Sequence, residues 1–254
     1  MIVLSFVKTI NKDEEWGGMA ISRKIEVEQL KHAKSELFNK DVLHILNGQA
    51  MYEDFKENHL MGNSDYVPFN EAMCVNATTP QVFDQSFIKT RAAGHHESVK
   101  NYMGKVIEPL NGLFHKEYTF IVLWFGEDMF CQMNLLTLLS YLEQSRYAGK
   151  VFLNSFKEDE WKVSQTELTL GTYQSVYQEV LVNHAKPAKK LTPIMDQAID
   201  LYLDMLKANN AVVTYISKNK HLPTSELVNR LFDRFPSIGY GDSQYIELIN
   251  EVRS

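Results

Sequence analysis

The chain has 254 residues with 26 basic and 32 acidic side chains, a formal net charge of −6. Hydrophobic residues make up 44 %, and 14 Phe, 12 Tyr and 3 Trp supply enough buriable surface to exclude a disordered chain, while 12 Gly and 7 Pro exclude a collagen-like or low-complexity one. The acidic balance argues against a dedicated nucleic-acid binder without excluding one, and no apolar run reaches the roughly 18 residues of a membrane span.

Residues 1–18 allow two readings. Ile2 to Val7 is apolar but interrupted by Ser5, with no basic segment before it and no cleavage site after it, so it is a poor signal peptide. Trp16 is encoded by TGG and both Gly17 and Gly18 begin with GG, so a ribosome-binding purine run could precede Met19 and make it the natural start. The alternative is a genuine N-terminal arm. Ile21 to Phe38 carries apolar residues at helical spacing (Ile25, Leu30, Leu37) among Lys and Glu and predicts an exposed, linker-like helix. The expected first unit is therefore an arm and linker helix over 1–40.

From Asp41 the texture changes. Asp41 to Leu46 is a short β-rich run ended by the breaker pair Asn47-Gly48, and a helix follows around Met51 and Phe55. Tyr66-Val67-Pro68-Phe69 predicts a second strand, at a sheet edge because Pro68 has no N–H for a ladder. Thr79-Pro80 predicts a helix cap, with Val82, Phe83, Phe87 and Ile88 on one face of the helix behind it. Another helix is expected from Glu97 towards Pro109. Tyr118 to Phe125 is continuously apolar, as in a strand buried on both faces. Met129 to Gln144 is the clearest helix, with Asp128 well placed to cap it. Lys150 to Asn154 predicts a fourth strand.

Strands separated by helices imply parallel β-α-β units. The expected fold is α/β: a Rossmann-like, mostly parallel sheet of about four strands flanked by helices over 41–155, followed by an all-helical domain over 156–254. The charge run Lys157 to Glu160 marks the expected boundary. Helices are expected near 172–183, 193–208, 211–218, 224–235 and 243–252.

Ligands of open parallel sheets bind outside the carboxyl ends of the strands. Those ends deliver Asn47, Gly48 and Gln49, then Asn70 and Glu71, then Gly126, Glu127 and Asp128 with Gln132 one turn on, and finally Asn154. This cluster of short polar groups predicts a site for a small polar or anionic, nucleotide-like ligand, with or without turnover. Glu71 and Asp128 are the candidate acid–base groups, and Arg91 could offset negative charge or pair with Glu71. Each residue also has a plainer reading as a turn, a cap or a dipole contact. Cys131, in the first turn of the Met129 helix, is either a reactive thiolate or a small buried hydrophobe. Two cysteines, Cys74 and Cys131, make no disulfide framework and fit a reducing cytosol. No Walker loop, GxGxxG, GxSxG, HExxH or CxxC spacing occurs, so the sequence names no cofactor and no metal site.

The segments Leu43-His44-Ile45-Leu46-Asn47-Gly48, Pro68-Phe69-Asn70-Glu71-Ala72-Met73-Cys74 and Leu123 to Leu136 resemble the bacterial domain-of-unknown-function family 1835, over about Asp41 to Ser155. Family versions often carry an acidic residue and Ser after Asn-Gly, where this chain has Gln49 and Ala50. The resemblance implies a bacterial, cytosolic α/β domain and draws attention to Asn47, Glu71, Arg91, Asp128 and Gln132. It implies no particular activity.

Relatives with a similar C-terminal part are sometimes labelled AraC-type regulators. Val212 to His221 followed by Thr224 to Phe232 superficially resembles a helix-turn-helix, but residues 156–254 hold 11 basic against 13 acidic residues. A non-enzymatic regulator contacting DNA or a protein through this part is the alternative function. A protein in which the polar residues serve only as caps is the third.

Overall fold

A computed structural model describes residues 24–156 and 163–254. The start-site reading of residues 1–18 and the charge run at 157–160 both fall outside them. The core is a five-stranded sheet ordered β2-β1-β3-β4-β5. Its strands are β1 (Val42–Leu46), β2 (Asp65–Pro68), β3 (Phe120–Trp124), β4 (Lys150–Phe156) and β5 (Val163–Leu168). The first four are parallel, with Leu46 opposite Pro68 and Trp124, and Trp124 opposite Asn154. Among the described residues β2 pairs only with β1, so Pro68 does lie on an edge strand.

β5 corrects the expected strand count and falls inside the segment expected to be all-helical. It runs antiparallel to β4, with Val151 opposite Leu168 and Phe156 opposite Val163. Val-Ser-Gln-Thr-Glu-Leu carries no apolar run because the strand closes an edge and leaves Ser164, Thr166 and Glu167 exposed.

Helices cover both faces. On one face residues 24–33 form α1, followed by a 3₁₀ turn at Ser35–Phe38, and Gln49–Glu57 forms α2. Val27, Leu37, Phe38, Phe55 and Leu60 pack there against Val42, Leu46, Val122 and Trp124. The linker-like reading of this helix is therefore wrong. A parallel sheet must be covered on both faces, and Val27, wholly buried, belongs to that cover.

The other face carries α3 (Gln85–Gly94), α4 (Val99–Tyr102), α5 (Asn111–His115) and α6 (Met129–Gln144). The helix expected behind Thr79-Pro80 starts instead at Gln85, where Asp84 Oδ1 accepts from the Phe87 N–H at 2.7 Å. The 79–84 segment is a turn held by Gln144, whose side chain accepts from the Val82 N–H and donates to the Pro80 carbonyl. The helix expected from Glu97 is broken into α4, a π-helical turn at Met103–Ile107, a 3₁₀ turn at Glu108–Leu110 containing Pro109, and α5.

In α6, every residue from Gln132 to Ser140 is buried, which spans all sides of the helix. One side meets the sheet. The opposite side meets α7 (Tyr173–Tyr177) and α8 (Pro193–Met205). α9 (Ala211–Lys218), α10 (Thr224–Arg234) and α11 (Asp242–Arg253) complete the helical part. Leu43 and Ile121 of the sheet and Ile216, Leu231 and Ile249 of the helical part lie in one continuous apolar cluster, so residues beyond 168 share the core of the sheet. No described helix is long and apolar enough to cross a membrane.

His44 is wholly buried on β1, where its Nδ1 accepts from Trp124 Nε1–H at 2.9 Å. Burial pushes its pKa from 6.5 down to about 3, against a weaker opposing effect of the Leu37 backbone. The unfolded chain takes up a proton that the folded chain refuses, so His44 makes stability fall as pH drops through the window from 6.5 towards 3. Asn at this position retains an acceptor for the indole. Urea unfolding of His44→Asn is expected to show a shallower loss of stability between about pH 7 and pH 5 than the parent chain, whatever its absolute stability. An unchanged slope would exclude His44 as the source.

Candidate functional site

The chain runs from β1 to β2 on one side and then crosses to β3 on the other, so the sheet order reverses between β1 and β3. In open parallel sheets the two crossovers that diverge at such a point leave a crevice at the carboxyl ends. Asn47 lies at this point, and its N–H donates to the Trp124 carbonyl at 3.2 Å, tying the end of β1 to the end of β3. Its side chain accepts from Asn134 Nδ2 at 3.0 Å and donates to Cys131 Sγ at 2.9 Å. Asn134 also donates to the Glu71 carbonyl at 2.7 Å and accepts from the Met73 N–H at 2.9 Å. This one buried amide therefore joins β1, the segment after β2, and α6. Sequence reasoning passed over it. The available signal was an amide in the middle of an apolar helix, where burial demands partners.

Gly48 is the N-terminal boundary of α2. Its φ of 92° favours glycine, and a Cβ there would meet nothing within 4 Å, so the approach is open. Among the described residues no side chain caps α2, and the Gly48 carbonyl accepts from the Tyr52 N–H. The first-turn N–H groups of residues 49–51 have no acceptor within the helix and point towards the crevice end. Asn70 borders this terminus, donating to Gln49 Oε1 at 3.0 Å and to the Lys105 carbonyl at 3.1 Å.

The α6 terminus differs. Asp128 caps it as expected, with Oδ1 accepting from the Cys131 N–H at 2.8 Å. Gln132, buried, holds the turn by donating to the Gly126 carbonyl at 2.6 Å. A Cβ on Gly126 would come within 2.9 Å of Asp128 Oδ2, which is why glycine stands there. A Cβ on Gly239 would fall 2.0 Å from Asp128 Oδ1, so the loop before α11 lies directly against this carboxylate. Glu127 is half-buried beside it.

Glu71 and Arg91 sit behind the crevice, with both side chains wholly buried and 2.7 Å apart. Glu71 accepts from Arg91 Nε and Nη2, from the Ala72 N–H, from the Tyr102 hydroxyl, and pairs with His95 Nε2 at 2.7 Å. Burial alone would push its carboxyl up. The Arg91 charge and the bonds from His95 and Arg91 outweigh that and hold it below the usual carboxylate range. The reverse balance holds for Arg91, where burial is outweighed by the Glu71 charge. Arg91 Nη1 donates to the Val75, Asn76 and Ala77 carbonyls and Nη2 also to that of Ala72. All five guanidinium N–H groups are thus used inside the protein.

These contacts correct two expectations. Glu71 is not placed to exchange protons with a ligand, because it has no solvent access and its oxygens are saturated. Arg91 is not placed to clamp an anion, because its donors staple the 72–77 segment. Asn154 also stands apart. It is in register with Trp124, on the α2 face, and its Oδ1 accepts from Gln165 at 2.9 Å. The structure gathers Asn47, Gly48, Asn70, Gly126, Glu127, Asp128 and Gln132 around the β1 and β3 ends. Tyr102 and His95, partners of Glu71, were missed because only tertiary contacts bring α3 and α4 to it.

Cys74 is buried, and desolvation pushes its thiol up, so it is unreactive. No group of His, Cys, Asp and Glu among the described residues could hold a metal ion. No protein-family model, curated protein or solved structure matches the chain.

Glu71→Gln would leave the Arg91 charge buried without its partner. A loss of about 3–5 kcal/mol in chemical unfolding is expected. A change below about 1 kcal/mol would show that the pair does not hold this segment.

Proposed function

We propose that the protein binds a small anionic or strongly polar molecule at the β1/β3 strand ends, with the α2 N-terminus as the anion-facing element. The observation that carries this reading is the contrast between two helix termini at one crevice. α6 has its own carboxylate cap, whereas α2 begins at an open glycine with no side-chain cap. Uncapped N–H groups and the helix dipole favour a phosphate or carboxylate there. Asn47 and Asn70 flank the position and would supply orientation, and Glu127 and Asp128 on the far wall suit hydroxyl groups of the same ligand. A nucleotide-like molecule has both kinds of group. This is consistent with a Rossmann-like arrangement and with membership of domain-of-unknown-function family 1835, both of which remain part of the proposal.

The regulator alternative has less support. In α10, the second helix of the candidate helix-turn-helix, Arg230 Nη2 pairs with Glu226 at 2.7 Å and Arg234 lies over the Tyr215 ring at 5.1 Å. Val212, Ile216, Leu227, Val228 and Leu231 of α9 and α10 are buried in the shared core. Both basic residues already have partners within the chain.

Ala50→Glu tests the reading. Residue 50 is exposed in the first turn of α2, where a carboxylate suits the helix dipole. The variant is expected to keep or slightly raise the melting temperature while losing the stabilisation that nucleotides and sugar phosphates confer on the parent chain. A ligand present at 100 times its Kd adds about 2.7 kcal/mol, so the loss is easily read in thermal unfolding. Retention of that stabilisation in Ala50→Glu, or its absence in the parent chain across nucleotides, sugar phosphates and dicarboxylates, would overturn the proposal. Asp128→Asn is expected to keep stability within about 0.5 kcal/mol, because Asn caps a helix as well as Asp.

A further inference from the structure

A separate cleft of about 420 Å³ opens beside β2, at the opposite end of that strand from Asn70. It lies between α2, β2 and the segment joining α5 to β3, and Tyr52, Ser64, Asp65, Tyr66, His115 and Lys116 contribute to its lining. We propose that this cleft binds a neutral polyhydroxylated ligand, a monosaccharide or small polyol.

Ser64 supplies the first argument. It is 6 % exposed, and its buried Oγ has no hydrogen-bond partner among the described residues. A buried hydroxyl without a partner costs stability, and Ser64 lines the cleft, so a χ1 rotation that turns Oγ into it lets an entering hydroxyl satisfy it. The second argument is charge. Asp65 Oδ2 accepts from Lys116 Nζ and from the Tyr118 hydroxyl, each at 2.8 Å. The Lys116 bond keeps the carboxyl below its usual range, so the pair is a carboxylate beside an ammonium with no net charge. An anion meeting this pair would face Asp65 and a cation would face Lys116, so the pair itself favours neither sign. Asp65 Oδ1 accepts nothing from the described residues and remains available. The cleft thus offers an acceptor at Asp65, a donor at Lys116 and a group of both kinds at Ser64. A hydroxyl group both donates and accepts, and a ligand with several of them matches all three positions.

The third argument is the wall. The Tyr52 and Tyr66 rings lie 5.3 Å apart and tilted by 37°, both half-buried. They are in contact with each other, so nothing inserts between them, and they offer an aromatic surface suited to the C–H groups of a sugar ring. The volume lies within the range of small-molecule sites and fits a monosaccharide.

The proposal is independent of the α2 site and separable from it. Amide shifts of the whole chain would be followed during titration with glucose, galactose, mannose and myo-inositol. At least one is expected to give saturable shifts at residues 64–67 and 112–118. Asp65→Asn should weaken that binding about tenfold or more, since a hydrogen bond to a charged group is lost. Ser64→Ala should weaken it less and leave folding intact, because that hydroxyl has no partner among the described residues. Ala50→Glu should leave it unchanged. Absence of saturable binding by all four would overturn the proposal, as would shifts confined to residues 47–51 and 126–131. Tighter occupation of the cleft by glucose 6-phosphate, adenosine or an alkylammonium than by these sugars would overturn it equally.

Discussion

α6 must be buried on every side, and the rest of the protein is arranged to do so. A helix with apolar residues all round cannot lie on a sheet surface with one side in water. The sheet covers one side through Leu123 and Phe125 of the β3 strand and its exit. α7 and α8 cover the other, and Gln144 at its end draws in the 79–84 turn. The helical C-terminal part is thereby not an appended module. It is the second half of the burial that the sheet begins, which is why one apolar cluster runs from Leu43 to Ile249. Two polar residues of the buried stretch, Gln132 and Asn134, hold the strand ends together because burial requires them to find partners, and the half-buried Asp128 caps the helix beside them.

The Glu71–Arg91 pair is the second organising contact, and its role is geometric. Moving two charges out of water is costly, and their attraction repays that only with near-complete hydrogen bonding. Here the bonding is complete: the carboxylate receives Arg91, Tyr102, His95 and a backbone N–H, while the guanidinium reaches the carbonyls of residues 72 and 75–77. The segment after β2 has no regular secondary structure to satisfy its carbonyls, so Arg91 does so instead. The crevice wall is fixed by this staple, although neither side chain reaches the crevice.

Much of the architecture was legible along the chain. The continuous apolar run before Gly126 announced a strand buried on both faces, and the Asp128 cap located the start of α6 to the residue. Pro68 announced an edge strand for want of an N–H. The misreadings share a cause. β5 is polar because one of its edges and much of its surface meet solvent. Val82 and Phe83 looked like a helical face, but their turn is fastened by a side chain 62 residues away in sequence. For the site, strand-end placement was readable, since it follows from the order of elements. Which polar residues remain available was not, since Glu71, Arg91 and Gln132 are each taken up by partners that only folding supplies.

The sequence by itself determined the α/β class, the parallel strands, the Asp128 cap of α6 and the set of polar residues delivered to the strand ends. These are local matters of periodicity, backbone geometry and breaker residues, which act over a few positions. Only the tertiary structure decided that α1 covers one face of the sheet while the C-terminal helices share the core on the other, that Asn134 is the hub of the crevice, that Glu71 and Arg91 neutralise each other away from it, and that α2 rather than α6 has the open terminus. Those outcomes depend on long-range pairing of buried polar groups, and the partner of a buried group is fixed by packing rather than by the residues beside it.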